Sequence, residues 1–427
     1  MISQLRDLEL KYPDTLTIVG VHSGKFHAER ETDRVRDASL RLGNTHPIVN
    51  DRQFRIWRGY AVNAWPTLAF VSPEGRVLGM RAGEFRPEQF SSLLDAIIDA
   101  YSTGDTLDRR ALHFPADQPS IPPGLLRYPG KVELDGDRMA IADSGNGRVI
   151  IARLSSDGRR ATIERVIGGA TEGGGHWVSG SSNYPQGMAF DGDTLYVADA
   201  GSHEIRAADL STGVIRTIAG TGRQLRTRDD QREGALSSPW DVTLVGRTLY
   251  IAMAGVHQLW SLDLATNTMR VNSGKFHEDI VDGPHAEAVL AQPMGITSDD
   301  RRLYFVDSET SAVRWSDTDP AGRVGTITGT GLFDFGDRDG VGDDVLMQHP
   351  QGIAHHPDGR LLVADSYNDA LKWVDPTTRT VTTWVRELHE PSGVACAEDA
   401  AYVADTNAHR IVRVAYESGE AEEVEIS

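Results

Sequence analysis

Residues 184–199 read YPQGMAFDGDTLYVAD, and five other stretches of the chain say nearly the same thing. They are YPGKVELDGDRMAIAD at 128, SPWDVTLVGRTLYIAM at 238, QPMGITSDDRRLYFVD at 292, HPQGIAHHPDGRLLVAD at 349 and EPSGVACAEDAAYVAD at 390. From the proline to the closing aspartate (Met253 in the third unit) is 14 residues in five units and 15 in the fifth, where HHPDGR adds one. Recurrence at one spacing in six places marks a repeat architecture. Each unit continues through a small polar loop, another apolar stretch, a turn such as DLSTG at 209 or DPTTR at 375, and a last stretch that ends near glycines, as in TIAGTG at 217. Four short strands per unit, in units of 40 to 58 residues, predict a six-bladed β-propeller over residues 126–427.

The residue types explain the recurrence. Proline ends the incoming connection by fixing φ. The glycine that follows lets backbones approach closely at the crowded centre. The closing aspartate can accept N–H groups of the loop after it and hold the turn.

The pattern is similar to NHL repeats. Its deviations, SPWDV and IAMAGVHQLW in the third unit, LMQHPQGI and VADSYNDALKWVDP in the fifth, and FDFGDRDGVG at 333, resemble the NHL repeat-containing protein 2 family. That resemblance implies a thioredoxin-like domain before the propeller. The segments that carry it are KYPDTLTIVGVHSGKF at 11, THPIVND at 45 and AWPTLAFVSPEGRV at 64. The expected class is therefore mainly β: a six-bladed NHL-type propeller after a partial α/β thioredoxin-like domain over 1–102, with a proline-containing linker over 103–125. Helices are expected at Met1–Tyr12, Ala28–Leu42 and Pro87–Tyr101, and strands at Thr15–Val21, Trp65–Val71 and Val77–Gly83. By the resemblance, Pro66 stands at the cis-proline position.

The dithiol of such a domain is missing. Thiol–disulfide exchange needs a thiolate and a resolving thiol, and the 427 residues hold one cysteine, Cys396, in the sixth unit. The strand that would carry a dithiol belongs between TLTIVGV and TLAFVSP, so a natural protein beginning upstream, with redox cysteines there, is one expectation. A degenerate domain, or a sheet completed by a partner, is the other.

Net charge is −19, which argues against nucleic-acid or anionic-membrane partners. The start, MISQLRDLELKYPD, is charged and helical in period, no long apolar run follows, and a cytoplasmic protein is expected.

Candidate ligand-binding residues lie where the third unit breaks the repeat, Trp240, Asp241, Met253 and His257, and at matching positions elsewhere, Gln186, Met294, Gln351 and Ser392. On the channel or rim of a propeller they would take a protein or small polar ligand. The competing reading is packing. His203, His257 and His409 share one repeat position, which suggests turn packing. Asp337-x-Asp339-Gly340 resembles a calcium loop without its distal glutamate, and an acidic turn is the expectation. No metal, cofactor or catalytic residue is expected. The leading function is a binding scaffold. The alternative is a thiol–disulfide oxidoreductase whose cysteines lie upstream and whose propeller recruits substrate. A lyase or hydrolase with a metal on the propeller axis would have mainly Asp241 to hold it.

Overall fold

The structure, a computed structural model, describes residues 2–83, 88–104, 106–110, 124–168 and 184–427. The chain divides into two compact units, Met1–Pro122 and Pro123–Ser427. The linker prolines Pro115, Pro119, Pro122 and Pro123 lie outside the described residues.

In the first unit, helix Ile2–Lys11 buries Leu5 and Leu8 against Phe90 and Leu94 of helix Glu88–Thr103, together with Leu16, Ile18, Leu68 and Phe70. Helix Thr32–Arg41 is shorter than the expected Ala28–Leu42, because Ala28–Arg30 turns as a 3-10 segment first. Strand Gly20–His22 pairs in parallel with Ile48–Asn50, and Thr67–Val71 pairs antiparallel with Val77–Ala82, in two separate two-stranded sheets. The expected strand from Thr15 begins only at Gly20, where pairing starts. Among the described residues neither sheet has a third strand, and Val19, Val21, Val71, Val77, Leu78 and Met80 remain exposed. The Trp65–Pro66 peptide is cis, and Trp65 Nε1 donates to the Ser23 carbonyl at 2.8 Å.

The second unit is a ring of six antiparallel blades. The inner strands are Pro129–Asp135, Pro185–Asp191, Pro239–Val245, Pro293–Ser298, Gly352–His355 and Pro391–Cys396. Each packs against the next, and the sixth packs against the first. Between the blades, apolar residues of facing sheets form cores, such as Leu249, Ile251, Met253 and Trp260 with Ile205 and Ala207.

The closing aspartates Asp143, Asp199, Asp307, Asp365 and Asp405 are fully buried. Their N–H partners come mainly from the connection entering the blade, not from the following loop as expected. Oδ1 accepts from Arg127, Tyr184, Ala291, Gln348 and His389, one or two residues before each proline, at 2.5–2.9 Å. The reason is geometric: the second strand ends beside the start of the first, so that N–H is the donor within reach. On the other oxygen, Asp143, Asp199, Asp307 and Asp405 hold Arg148, Arg206, Arg314 and Arg410 at 2.6–3.0 Å, and Asp365 lies 3.7 Å from Lys372. These are buried carboxylates with both oxygens engaged, the condition for tolerating them.

Two further contacts join neighbouring blades. The hydroxyl after the aspartate donates to the next blade's proline carbonyl: Ser144 to Pro185, Ser308 to Pro350, Ser366 to Pro391 and Thr406 to Pro129, at 2.5–2.8 Å. The left-handed residue closing the same turn accepts the N–H before the next proline, His203 from Ser238, His257 from Gln292 and His409 from Tyr128, at 3.0–3.1 Å. The His409 bond joins blade six to blade one.

A strap completes that closure. Glu425–Ile426 lies parallel to Arg160–Ala161 on the outer edge of blade one, and Val424 is buried in the core shared by blades one and six. Ser427 N–H donates to Ala161 at 3.0 Å and Ile163 N–H to Ser427 at 2.7 Å. Truncation after Glu423 is expected to cost about 2–4 kcal/mol, from one buried valine and its backbone bonds. A melting temperature unchanged by the truncation would show that the strap adds nothing.

Candidate functional site

On the ring axis, the position two residues after each unit's proline reads Lys131, Gly187, Asp241, Gly295, Gly352 and Gly393. A side chain at the glycines would meet backbone: a Cβ on Gly295 would come 2.7 Å from the Gln351 carbonyl oxygen, and one on Gly393 2.6 Å from Lys131 Cα. The two departures from glycine face each other. Lys131 Nζ lies 2.8 Å from Asp241 Oδ2, both residues are buried, and Asp241 also accepts the N–H groups of Val242 at 2.9 Å and Ile296 at 3.1 Å. One cation and one carboxylate fill the space left by four glycines.

Beyond this pair a cavity of about 310 Å³ opens between the inner strands. Its polar lining includes Lys131, Glu133, Thr243, Thr297, His355 and Cys396. Glu133 lies 3.9 Å from Lys131 with 30% of its side chain accessible. Burial within the ring pushes its carboxyl up to about 7, against the pull of Lys131 and with Asp241 adding to the rise. Lys131 itself titrates higher than an ordinary lysine: burial works against its charge, and the two carboxylates outweigh it. One lysine thus serves two acids, and Asp241, with its backbone donors, takes the closer contact.

A sign follows for stability. Between about 4.5 and 7 folded Glu133 keeps a proton that the unfolded chain has released, so this group's contribution falls as pH rises through that window. Glu133→Gln is expected to remove that fall and to gain on the order of 1–2 kcal/mol over wild type at pH 8, with little difference at pH 4.5. Melting temperatures of both proteins between pH 4.5 and 8 check this, and parallel curves would contradict it.

Of the eight residues singled out from sequence, Asp241 is the axial partner of Lys131 and the other seven are dispersed over the blade contacts; none of the eight lines the cavity. Met253 and Met294 are buried in cores between blades, and Trp240 packs on the core that holds Met294. Met253 Sδ accepts the Ser237 N–H at 3.4 Å, the bond that aspartate makes in the other blades. Where blades two and four then place Arg206 and Arg314, blade three has Trp260, its Nε1 donating to Gln258 at 2.9 Å. Gln186 is buried beside Gly130, Ser392 donates to the Gly130 carbonyl at 2.7 Å, and His257 is the turn acceptor described above. Gln351 is half-buried, with its N–H bonded to Ala364 at 3.1 Å. Lys131 and Glu133 were missed because YPGKV places its glycine one residue early; the available signal was a lysine at the ring position of Asp241.

Asp337 and Asp339 hold Lys372 Nζ at 2.6 and 3.1 Å, and Asp339 also accepts from Thr383, so the acidic turn pins its own blade. Among the described residues no cluster of three or more histidine, cysteine or acidic side chains could hold a metal ion. Burial pushes the Cys396 thiol up to about 11, which keeps it protonated at neutral pH. Among the described residues no helix is long and apolar enough to cross a membrane.

Closed blades, the Pro-x-Gly start and the buried closing aspartates define an NHL-repeat β-propeller protein, and the chain belongs to that family. Within it the chain goes with NHL repeat-containing protein 2. It is 34% identical to that protein of Homo sapiens over 468 aligned residues, covering 96% of this chain and 64% of the human one. It is also 35% identical to Protein SUPPRESSOR OF QUENCHING 1, chloroplastic, of Arabidopsis thaliana, covering 99% of this chain and 43% of the plant protein. The chain thus spans less than two thirds of these relatives' lengths. No protein-family model matches it. Among solved structures, virginiamycin B lyase from Staphylococcus aureus overlaps at a TM-score of 0.45 and 12% identity, over 70% of this chain and 85% of that one.

Proposed function

We propose that this chain is a binding protein: a thioredoxin-like unit without its dithiol, joined to a propeller whose axial cavity receives a small polar ligand or a partner's side chain. The observation that carries the reading is the cavity itself, lined by Lys131, Glu133, Thr243, Thr297 and His355, with Asp241 holding Lys131 from outside the lining. The polar signature of the repeat is engaged in holding blades, whereas Glu133, Thr243, Thr297 and His355 line open space on the axis. The size lies at the lower end of small-molecule sites. The raised Cys396 thiol supplies no thiolate at neutral pH, which favours binding over thiol chemistry, and a lone half-buried cysteine fits a reducing, cytoplasmic setting.

The test is a thermal-shift screen of small amines, amides and amino acids against wild type and Glu133→Gln/Thr243→Val. Compounds that stabilise wild type are expected to lose that effect in the variant. Absence of any hit, or equal shifts in both proteins, would overturn the reading.

A second reading rests on the two open sheets of the first unit, with Val21 exposed on one and Val71 on the other. A dithiol-bearing strand laid between them would make the unit a thiol–disulfide oxidoreductase, with the propeller recruiting substrate. Dithiol-dependent insulin reduction by protein purified from its native source would favour this reading over the first.

A further inference from the structure

Blade three carries a second concavity, of about 680 Å³, beside its outer strands. Arg226 and Arg232 from one connection, and Lys275 and His277 from the next, line it, and no carboxylate does among the described residues. In a chain of net charge −19 the charged side chains of this lining are all basic, with Asp229, Asp230 and Glu233 standing beside it in the first connection. Two apolar side chains stand open within it, Phe276 at 43% and Val271 at 38% exposure.

The walls are set before any ligand arrives. Thr227 and Asp230 form a capping box that fixes the turn bearing Arg232. Leu225 and Leu236 are buried, and Leu225 N–H donates to the Leu236 carbonyl at 2.7 Å. Gln258 donates to the Gly274 carbonyl at 3.2 Å while accepting from Trp260, so the tryptophan that replaces arginine in this blade also braces the groove. Preformed walls lower the ordering cost of binding. The exposed bridge from Arg232 to Asp229, at 3.1 Å, is of the kind worth little and easily exchanged for another carboxylate.

The geometry points to an acidic protein segment as the occupant, with carboxylates at Arg226, Arg232 and Lys275 and an aliphatic or aromatic side chain against Phe276 and Val271. A nucleic acid fits less well. A long polyanion meets the repulsion of the whole acidic molecule, whereas a short segment reads the field within a Debye length. This inference goes beyond the axial reading and shares no residue with that cavity.

The test measures binding of a short fluorescent peptide alternating glutamate and leucine to the full chain by anisotropy at moderate salt. Wild type is expected to bind it and to ignore the peptide with lysine in place of glutamate. Arg232→Glu/Lys275→Glu is expected to weaken binding at least roughly tenfold, and Phe276→Ala severalfold. Were the double reversal to alter melting, Lys275→Gln with Phe276→Ala would carry the test, each expected to weaken binding. No binding by wild type, binding indifferent to these variants, or a uridine oligonucleotide bound as tightly as the peptide would each overturn the proposal. Failure here leaves the axial ligand screen unaffected.

Discussion

Met253→Asp is expected to destabilise the propeller by about 5 kcal/mol, although it restores the residue that the other five blades use. The aspartate could still accept the Ser237 N–H, which Met253 Sδ accepts now at 3.4 Å. Its second oxygen would face Trp260 where Asp199 and Asp307 face Arg206 and Arg314. The result is a fully buried carboxylate with no cation, plus the lost thioether packing. Restoring the pair with Met253→Asp/Trp260→Arg should recover part of the loss, so that the two changes are strongly non-additive. Chemical denaturation of the four proteins reads the coupling. A stable Met253→Asp single variant would mean that this aspartate needs no cation anywhere in the ring.

Gly187→Ala is the second large effect, expected at about 3 kcal/mol or more, the top of the usual range for overpacking. The new methyl would fall on Asp241 itself, at its Cα and its carboxylate. A flexible side chain could swing away from such a contact, but a neighbouring inner strand cannot without opening the ring. Two to four degrees of melting temperature per kcal/mol is the scale for a domain somewhat smaller than this one, so a fall on the order of 10 °C is expected. A shift within a degree or two would place the axis more loosely than described.

These two positions also show what was legible in the sequence. Close approach at the glycines and a structural role for the closing aspartates follow from residue type at a repeated position, and both are present. Which N–H the aspartate would accept did not follow, because that donor is brought beside it by the meeting of two strands. Asp241 and Met253 stood out as departures, yet their partners did not. Trp260 lies seven residues beyond Met253, an offset readable only after Asp199–Arg206 and Asp307–Arg314 are seen as pairs. Lys131 lies two blades away in the chain and is brought to Asp241 by ring closure. In the first unit the order of helices and strands was readable from apolar periodicity except for the strand Ile48–Asn50, three residues too short to show a period. The length of the strand at Gly20–His22 was not, because it depends on where Ile48–Asn50 begins to pair.

Lys131 and Asp241, the residues that break the repeat on the axis, are partners of one another in the ring, and their coupling is the central expectation. A double-mutant cycle on Lys131→Met and Asp241→Asn tests it most directly. Each single change should cost about 3 kcal/mol. Lys131→Met leaves a buried carboxylate unpaired, and Asp241→Asn leaves a buried ammonium with only Glu133 at 3.9 Å. The double variant keeps an acceptor for the Ile296 N–H and buries no unpaired charge, so a coupling of about 2 kcal/mol or more is predicted. Additive costs, with coupling below about 0.5 kcal/mol, would contradict that expectation and return Asp241 to the ligand-binding role first read from the sequence.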